Sequence, residues 1–314
     1  MDNRVICVVG PTATGKTKMG VALAKRFGGE VVSVDSMQIY RGMTIGTAAP
    51  TAEETEGIPH HMVAVADPAE SWSVARFTEQ ADRCIQDILC RGRRPVLVGG
   101  TGLYLDSILS GRTFAAGHSG GEVRRALQTE LAQGGIEPLY RQLQAIDPTA
   151  AARLHLSDEK RILRALEAFR ETGETITAHD ARTRLRPPKY RAYTIGLTFR
   201  DRADLYERID CRVDTMVGQG LLQEVEALLK SGLPETATAL QAIGYKQFLS
   251  VYRGDTPARD AVAEVKLRSR QYAKRQLTWL RRKEDIHWIL WEKTPDFPAG
   301  LQNATEYLLA QGLG

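Results

Sequence analysis

Apolar residues along the chain fall into two alternating patterns. Short, nearly unbroken runs read as strands buried on both faces: Val5-Ile-Cys-Val-Val9, Glu30-Val-Val-Ser-Val34, Arg94-Pro-Val-Leu-Val-Gly99, residues 190–199 around Ile195-Gly-Leu197, and Ile286-His-Trp-Ile-Leu-Trp291. Between them lie stretches that read as helices, at 18–27, 71–91, 105–109, 201–230, 237–252, 266–283 and 301–309. The stretch 71–91 sets Val74, Phe77, Ala81, Ile85, Ile88 and Leu89 on one helical face. Strands alternating with helices predict an α/β core with a largely parallel sheet between helical layers.

From about residue 110 the strand signals stop. Segments 122–133, 137–145, 150–154 and 158–172 carry helical spacing. A looser segment with Arg182, Arg184, Arg186 and Lys189 follows, punctuated by Pro187-Pro188. The pattern predicts a small all-helical domain at 111–189 inserted into a core made of 1–110 and 190–314. Residues 41–70, with Pro50, Pro59, His60, His61 and Pro68, read as loops over one edge of the sheet. The histidine pair is either solvated or in reach of a ligand.

The 314 residues suffice for a substantial core. Hydrophobic residues at 43% and charged residues at 25% are ordinary for a globular protein. Cys7, Cys84, Cys90 and Cys211 show no metal-finger spacing and no disulfide framework, and Cys7 sits inside the first strand. There is no signal peptide pattern and no long apolar run, so a cytoplasmic protein without a membrane partner is expected. A monomer with no obligatory protein partner is also expected. The net charge of +4 is modest, but its distribution is not. Lys266, Arg268, Arg270, Lys274, Arg275, Arg281, Arg282 and Lys283 fall in one stretch without an acid, with Tyr272 and Trp279 interleaved. An exposed helix with its stems on the core is one reading; a polyanionic partner such as a nucleic acid is the other.

The most specific motif is Gly10-Pro-Thr-Ala-Thr-Gly-Lys-Thr17, which meets G-x-x-x-x-G-K-[ST] between a strand and a helix. Backbone amides of Gly10, Pro11, Thr12, Ala13, Thr14 and Gly15 (Pro11 excepted, which has none) and the helix N-terminus would cradle a phosphate chain. Lys16 would add a charge, and the Thr17 hydroxyl would hold Mg²⁺. By itself the motif suggests a P-loop NTPase-like core and ATP. Asp35, after the second strand, falls on the same carboxyl edge, where it fits a general base, a magnesium partner or a helix N-cap. The third strand ends in Gly99-Gly-Thr101 where phosphate-loop ATPases place an acid for magnesium. That absence argues against a small-molecule kinase, and the bare backbone suggests that something bulky approaches closely.

These stretches together resemble the tRNA dimethylallyltransferases, also called tRNA isopentenyltransferases, of the bacterial type. The resemblance runs from about Val5 to Trp291. It rests on Gly10–Thr17, Asp35-Ser-Met-Gln-Ile-Tyr40, Ile45-Gly-Thr47, Pro59-His-His61, Ser73-Val-Ala-Arg-Phe77, Gly99-Gly-Thr-Gly-Leu-Tyr104, Arg161-Ile-Leu-Arg-Ala-Leu-Glu167, Leu205-Tyr-Glu-Arg-Ile209 with Arg212-Val-Asp214, Ile243-Gly-Tyr245 and Tyr272-Ala-Lys-Arg-Gln-Leu-Thr-Trp279. It implies transfer of a dimethylallyl group from its pyrophosphate to the exocyclic amine of an adenosine beside the tRNA anticodon, with Mg²⁺ as cofactor. The phosphate loop would then hold a prenyl diphosphate rather than ATP. Asp35 takes the role of general base, and Thr101 that of a hydrogen-bond partner of the target base. Lys16, Thr17 and Arg212 match diphosphate contacts. Ser36, Met37 and Gln38 match a segment facing the adenosine. Arg161, Ile162, Leu163, Arg164, Ala242, Ile243, Gly244, Tyr245, Lys274, Arg275, Gln276, Trp279 and Arg281 match regions that meet the tRNA anticodon stem-loop. The chain departs from the family at Ala49, where a lysine is usual, and at Trp72 and Ser157. No cysteine–histidine finger follows the core. The alternatives are an isopentenyltransferase acting on free adenine nucleotides, a small-molecule kinase, and a non-catalytic phosphate-loop or RNA-binding protein. The basic stretch disfavours the first, since a mononucleotide needs no such surface. Asp35 and Thr101 disfavour the last.

Overall fold

A computed structural model describes residues 2–111, 114, 121–185 and 187–313, and Arg186 lies outside them. The chain divides into two compact units, one of residues 1–109 and 189–314 and the other of 110–188.

The larger unit is built on a six-stranded sheet in the order β3-β2-β4-β1-β5-β6, with every pairing parallel. The strands are β1 (Arg4–Val9), β2 (Gly29–Val34), β3 (His60–His61), β4 (Arg94–Gly99), β5 (Arg191–Phe199) and β6 (Ile286–Trp291). The apolar runs of β1, β2 and β4 are buried on both faces, as parallel strands between helices must be. In the register, Val9 and Val34 both lie opposite Gly99, so β1, β2 and β4 end together. Three loops therefore leave the sheet side by side: the phosphate loop after β1, the Asp35 turn after β2 and the Gly-Gly-Thr segment after β4. The order of strands reverses at β1, and in open parallel sheets ligands gather outside the carboxyl ends at such a point.

The helices before the insertion are α1 (Lys16–Arg26), α2 (Ala52–Thr55), α3 (Val74–Cys90) and α4 (Gly102–Ser110). On α3, Phe77, Ala81, Ile85 and Ile88 are buried, and the Ser73 hydroxyl accepts from Arg76 N to cap the helix. Within the smaller unit are α5 (Glu122–Gly134), α6 (Ile136–Ile146), α7 (Pro148–Ala151), α8 (Glu159–Thr172) and α9 (Ile176–Arg184). They enclose a core of their own, with Leu127, Leu139, Leu143, Ile162, Leu163 and Leu166 buried. After it come α10 (Arg202–Gly218), α11 (Leu221–Lys230), α12 (Tyr245–Tyr252), α13 (Ala258–Leu280) and α14 (Phe297–Ala310).

Three expected elements differ. The 201–230 stretch is two helices, because Gly220 takes φ +102° and turns the chain between α10 and α11. The 237–252 stretch is a 3₁₀ turn at Ala239–Gln241 and then α12, with Gly244 at φ +100° between them. The looser segment holding Arg182 and Arg184 is the helix α9, capped by Thr175. Its buried positions include His179 and Thr183, so an apolar period could not reveal it. Among the described residues no helix is long and apolar enough to cross a membrane. The four cysteines are free, and Cys7 is fully buried in β1.

Candidate active site

The phosphate loop owes its shape to positions that side chains would spoil. Gly15 takes φ +82°, and a Cβ there would meet the Phe297 ring at 2.3 Å. The Trp291 indole N–H donates to the Thr14 carbonyl at 3.0 Å, and the Thr14 hydroxyl donates to the Pro11 carbonyl at 2.9 Å. α1 then starts at Lys16 with no side-chain cap and no acid in its first turn. Its first amides and the positive end of its dipole are thus left for an anion.

A cavity of about 610 Å³ opens over this loop, a size suited to a small-molecule ligand. Thr12, Ala13, Gly15, Lys16 and Thr17 line it, together with Asp35, Ser36, Met37 and Gln38 from the turn after β2. Arg212 from α10 faces it, as do Ala242, Ile243 and Gly244, and Arg275 and Gln276 from α13. Lys16 and Arg212 are close enough to repel, and neither has a carboxylate ion pair among the described residues. Burial first and then the Arg212 charge push the Lys16 ammonium down to about 7, against an opposing pull from Asp35. The Lys16 ammonium donates to its own loop at the Pro11 carbonyl, 2.6 Å away. Burial also lowers Arg212, and its Nε is buried without a hydrogen-bond partner. Two desolvated cations, favoured only by the more distant charges of Asp35 and, for Arg212, Glu54, are a costly arrangement unless an anion enters between them.

Asp35 is neither a helix cap nor a free carboxylate alone. Its Oδ1 accepts from Met37 N at 2.8 Å and Gln38 N at 3.3 Å, which fixes the turn. Oδ2 makes no hydrogen bond among the described residues and can accept a proton. The Asp35 charge reaches Lys16, Arg212 and the phenols of Tyr104 and Tyr272, both of which are raised chiefly by burial. The Thr101 hydroxyl is buried, with the Tyr272 phenol beside it as its polar neighbour. Thr101 lines a small adjoining pocket rather than the main cavity. The Thr17 hydroxyl lines the main cavity and forms no hydrogen bond among the described residues.

Several expectations change in the structure. The bulky neighbour of the Gly-Gly-Thr segment is the protein's own α13: a Cβ on Gly100 would meet Gln276 Nε2 at 2.2 Å, and one on Gly102 would meet the Trp279 ring at 2.3 Å. Gln276 and Trp279 therefore face inward. Gln38 also uses its amide internally, accepting from Ser33 Oγ at 2.8 Å and donating to the Thr47 and Ala48 carbonyls. Ile162 and Leu163 are core residues of the helical unit and Tyr245 is fully buried in the larger one, so their side chains are not surface contacts, while Ala242, nearly buried, meets only the cavity. Arg161 stays exposed, while Arg164 pairs with Glu167. His60 and His61 form the edge strand β3, with His61 Nε2 against Glu30 at 2.7 Å, and neither lines the cavity.

The basic stretch is half neutralised by acids outside it. Lys266 pairs with Asp214, Arg270 with Asp210, Arg268 with Glu264 and Lys283 with Asp106. Lys274, Arg275, Arg281 and Arg282 have no ion pair among the described residues and are exposed. Arg275 lies over the Tyr272 ring at 5.7 Å.

Glu224 on α11 escaped the sequence reading altogether. Its carboxylate accepts from Thr44 N, Thr44 Oγ1, Ile45 N, Gly46 N and the Tyr245 hydroxyl. It thereby pins the 44–47 loop whose carbonyl at Thr47 holds Gln38. Glu224→Ala leaves these donors unpaired and is expected to cost about 3 kcal/mol. Urea denaturation checks this, with Glu224→Gln expected to lose less because one acceptor oxygen remains.

The sequence model described as IPP transferase matches residues 38–283, and one described as isopentenyl transferase matches residues 3–64. A tRNA dimethylallyltransferase of Acetivibrio thermocellus is 42% identical over 313 residues, covering 100% of this chain and 99% of the relative. One from Geobacter metallireducens is 44% identical, covering 91% and 92%. A solved tRNA isopentenylpyrophosphate transferase from Bacillus halodurans superposes with a TM-score of 0.72 at 40% identity, over 99% of this chain and 97% of that one. A eukaryotic dimethylallyltransferase acting on tRNA superposes with a TM-score of 0.82 at 30% identity, over 98% and 78%. With the site's geometry and a match through most of its length, the chain belongs to the IPP transferase family.

Proposed function

We propose that this chain transfers a dimethylallyl group from dimethylallyl pyrophosphate to the exocyclic amine of an adenosine beside the tRNA anticodon, releasing pyrophosphate. The observation that carries the reading is the pairing of two desolvated cations, Lys16 and Arg212, with the Asp35 carboxylate at one cavity above the phosphate loop. The cations suit a diphosphate leaving group, and the carboxylate suits an amine that must lose a proton.

In the reaction, the amine lone pair forms a bond to the allylic carbon. The carbon–oxygen bond to pyrophosphate breaks, and its electron pair departs with the leaving group. The amine proton passes to Asp35 Oδ2. Lys16, Arg212 and the amides at the start of α1 stabilise the charge that builds on the diphosphate oxygens. The buried Thr101 hydroxyl, beside Tyr272, is the group that would hydrogen-bond the base once it enters. To arrive there, the adenosine leaves its stack, a cost of a few kcal/mol. The Thr17 hydroxyl fits Mg²⁺, since Thr17 lines the cavity and its hydroxyl makes no hydrogen bond among the described residues. Such an ion would take its remaining ligands from the diphosphate and water, and would neutralise leaving-group charge. Lys274, Arg275 and Arg281, with Arg161 on the helical unit, are exposed cations without an ion pair among the described residues and are offered to tRNA phosphates. A tRNA acceptor suits an enzyme of the cytoplasm.

Incubation with dimethylallyl pyrophosphate, Mg²⁺ and unmodified tRNA, followed by digestion and mass spectrometry of nucleosides, tests the reading. A prenylated adenosine from tRNA is expected. Transfer to AMP but not to tRNA would instead establish the adenine-nucleotide reading, and ATP turnover alone would establish a kinase or ATPase.

The Lys16 shift adds a pH dependence. In the free protein the ammonium loses its proton as pH rises through about 7. A bound diphosphate favours the charged form, so the complex holds more protons than the free protein above that pH. Affinity for dimethylallyl pyrophosphate therefore falls as pH rises, by up to about tenfold per unit. Calorimetric titration across that range checks it, with Lys16→Met expected to bind weakly and without this slope.

A further inference from the structure

Gln276 is 7% exposed and lies on α13 at the point where two catalytic loops meet. Its Oε1 accepts from Thr12 N at 3.2 Å, and its Nε2 donates to Gly100 O at 3.0 Å. One amide side chain thus spans the phosphate loop after β1 and the segment after β4 that carries Thr101. The fit is close, because even a methyl group on Gly100 would run into Nε2. Tyr272, one helical turn earlier, places its phenol beside Thr101. The same helix bears Lys274 and Arg275 on exposed positions.

We infer that Gln276 is a positioning residue that sets the distance between the two halves of the reaction. Through Thr12 it fixes the loop that holds the leaving group. Through Gly100 it fixes the segment whose Thr101 meets the acceptor base. An amide side chain suits this bridge because it donates at one end, accepts at the other and brings no charge into the diphosphate cradle. Gln276 also occupies the Thr12 amide, so the diphosphate is held by the amides further along the loop. This inference rests on the transferase reading above, and it differs from a role for Gln276 in contacting tRNA.

The test is a comparison of Gln276→Met, which keeps volume but bonds at neither end, with Gln276→Ala. Loss of alignment by about an ångström costs on the order of 10²-fold in rate. Both variants are expected to lower the single-turnover rate of transfer, at saturating donor and tRNA, by roughly that factor. Dissociation constants for dimethylallyl pyrophosphate and for tRNA, measured separately, are expected to stay within about threefold, since the cradle and the exposed cations remain. Thermal denaturation identifies any variant that fails to fold, and the methionine form guards against a cavity. A saturating rate equal to wild type would overturn the proposal. So would a rise of tenfold or more in the tRNA dissociation constant with the saturating rate preserved, which would make Gln276 a tRNA contact. If the wild-type protein transfers nothing to tRNA, the transferase reading itself fails and the inference falls with it; if wild type is active, only the inference is at stake.

Discussion

Asp35→Asn lowers the rate of transfer to tRNA by about 10²–10⁴, the usual worth of a positioned general base. Asparagine is the sharper replacement than alanine. Its side-chain oxygen can still accept from Met37 N and Gln38 N, so the turn after β2 keeps its shape. What disappears is the proton acceptor at the second oxygen. Binding of tRNA and of dimethylallyl pyrophosphate is therefore expected to stay within a few-fold of wild type. Single-turnover rates with saturating substrates, together with equilibrium binding, separate the two effects. Activity within a few-fold of wild type would remove Asp35 from the role of base.

Arg212→Met has an effect of similar size and a second effect of opposite sign. Removing one fixed cation from a departing oxyanion costs on the order of 10²–10³ in rate. Arg212→Lys is not expected to restore it, because the planar guanidinium fork and the ammonium meet phosphate oxygens differently. In the absence of ligand, however, Arg212 is a desolvated charge repelled by Lys16, with an unsatisfied Nε. Its removal relieves that cost, so the ligand-free variant is expected to be as stable as wild type or more stable, although most core substitutions destabilise. Thermal denaturation without diphosphate checks the sign. A loss of more than about 1 kcal/mol would mean that the guanidinium serves the fold.

These two residues were not equally visible in the sequence. The phosphate loop and Asp35 could be read because each depends on neighbours in sequence: a strand, a fixed spacing and a position at the strand's end. Arg212 entered only through the family resemblance, since a lone arginine on a helix carries no local sign of its role. The roles that Gln276, Glu224 and Trp291 take in the structure were illegible for a related reason, although Gln276 matches a tRNA-contacting region of the family. Each satisfies backbone groups in a loop far away in sequence, and nothing local marks which donors or acceptors those loops leave over. The basic stretch after residue 266 was legible as a charge excess but not in its pairing. Its neutralising acids Asp210, Asp214 and Asp106 lie on α10 and α4, outside any window a charge count would use. The parallel sheet was plain from its apolar runs, whereas α9 was hidden because its buried positions include histidine and threonine.

The indole of Trp291 and the ring of Phe297 close against a loop that begins at Gly10. The phosphate loop is thus completed by a strand and a helix far downstream, with Trp291 reaching Thr14 across 277 positions of sequence. β1 must likewise wait for β5, its partner beyond the insertion, before the centre of the sheet can form. The core of the helical unit, by contrast, is drawn from its own residues. Contacts of long sequence separation are slow to form. The diphosphate loop therefore lacks its supporting contacts until β6 and α14 have been made.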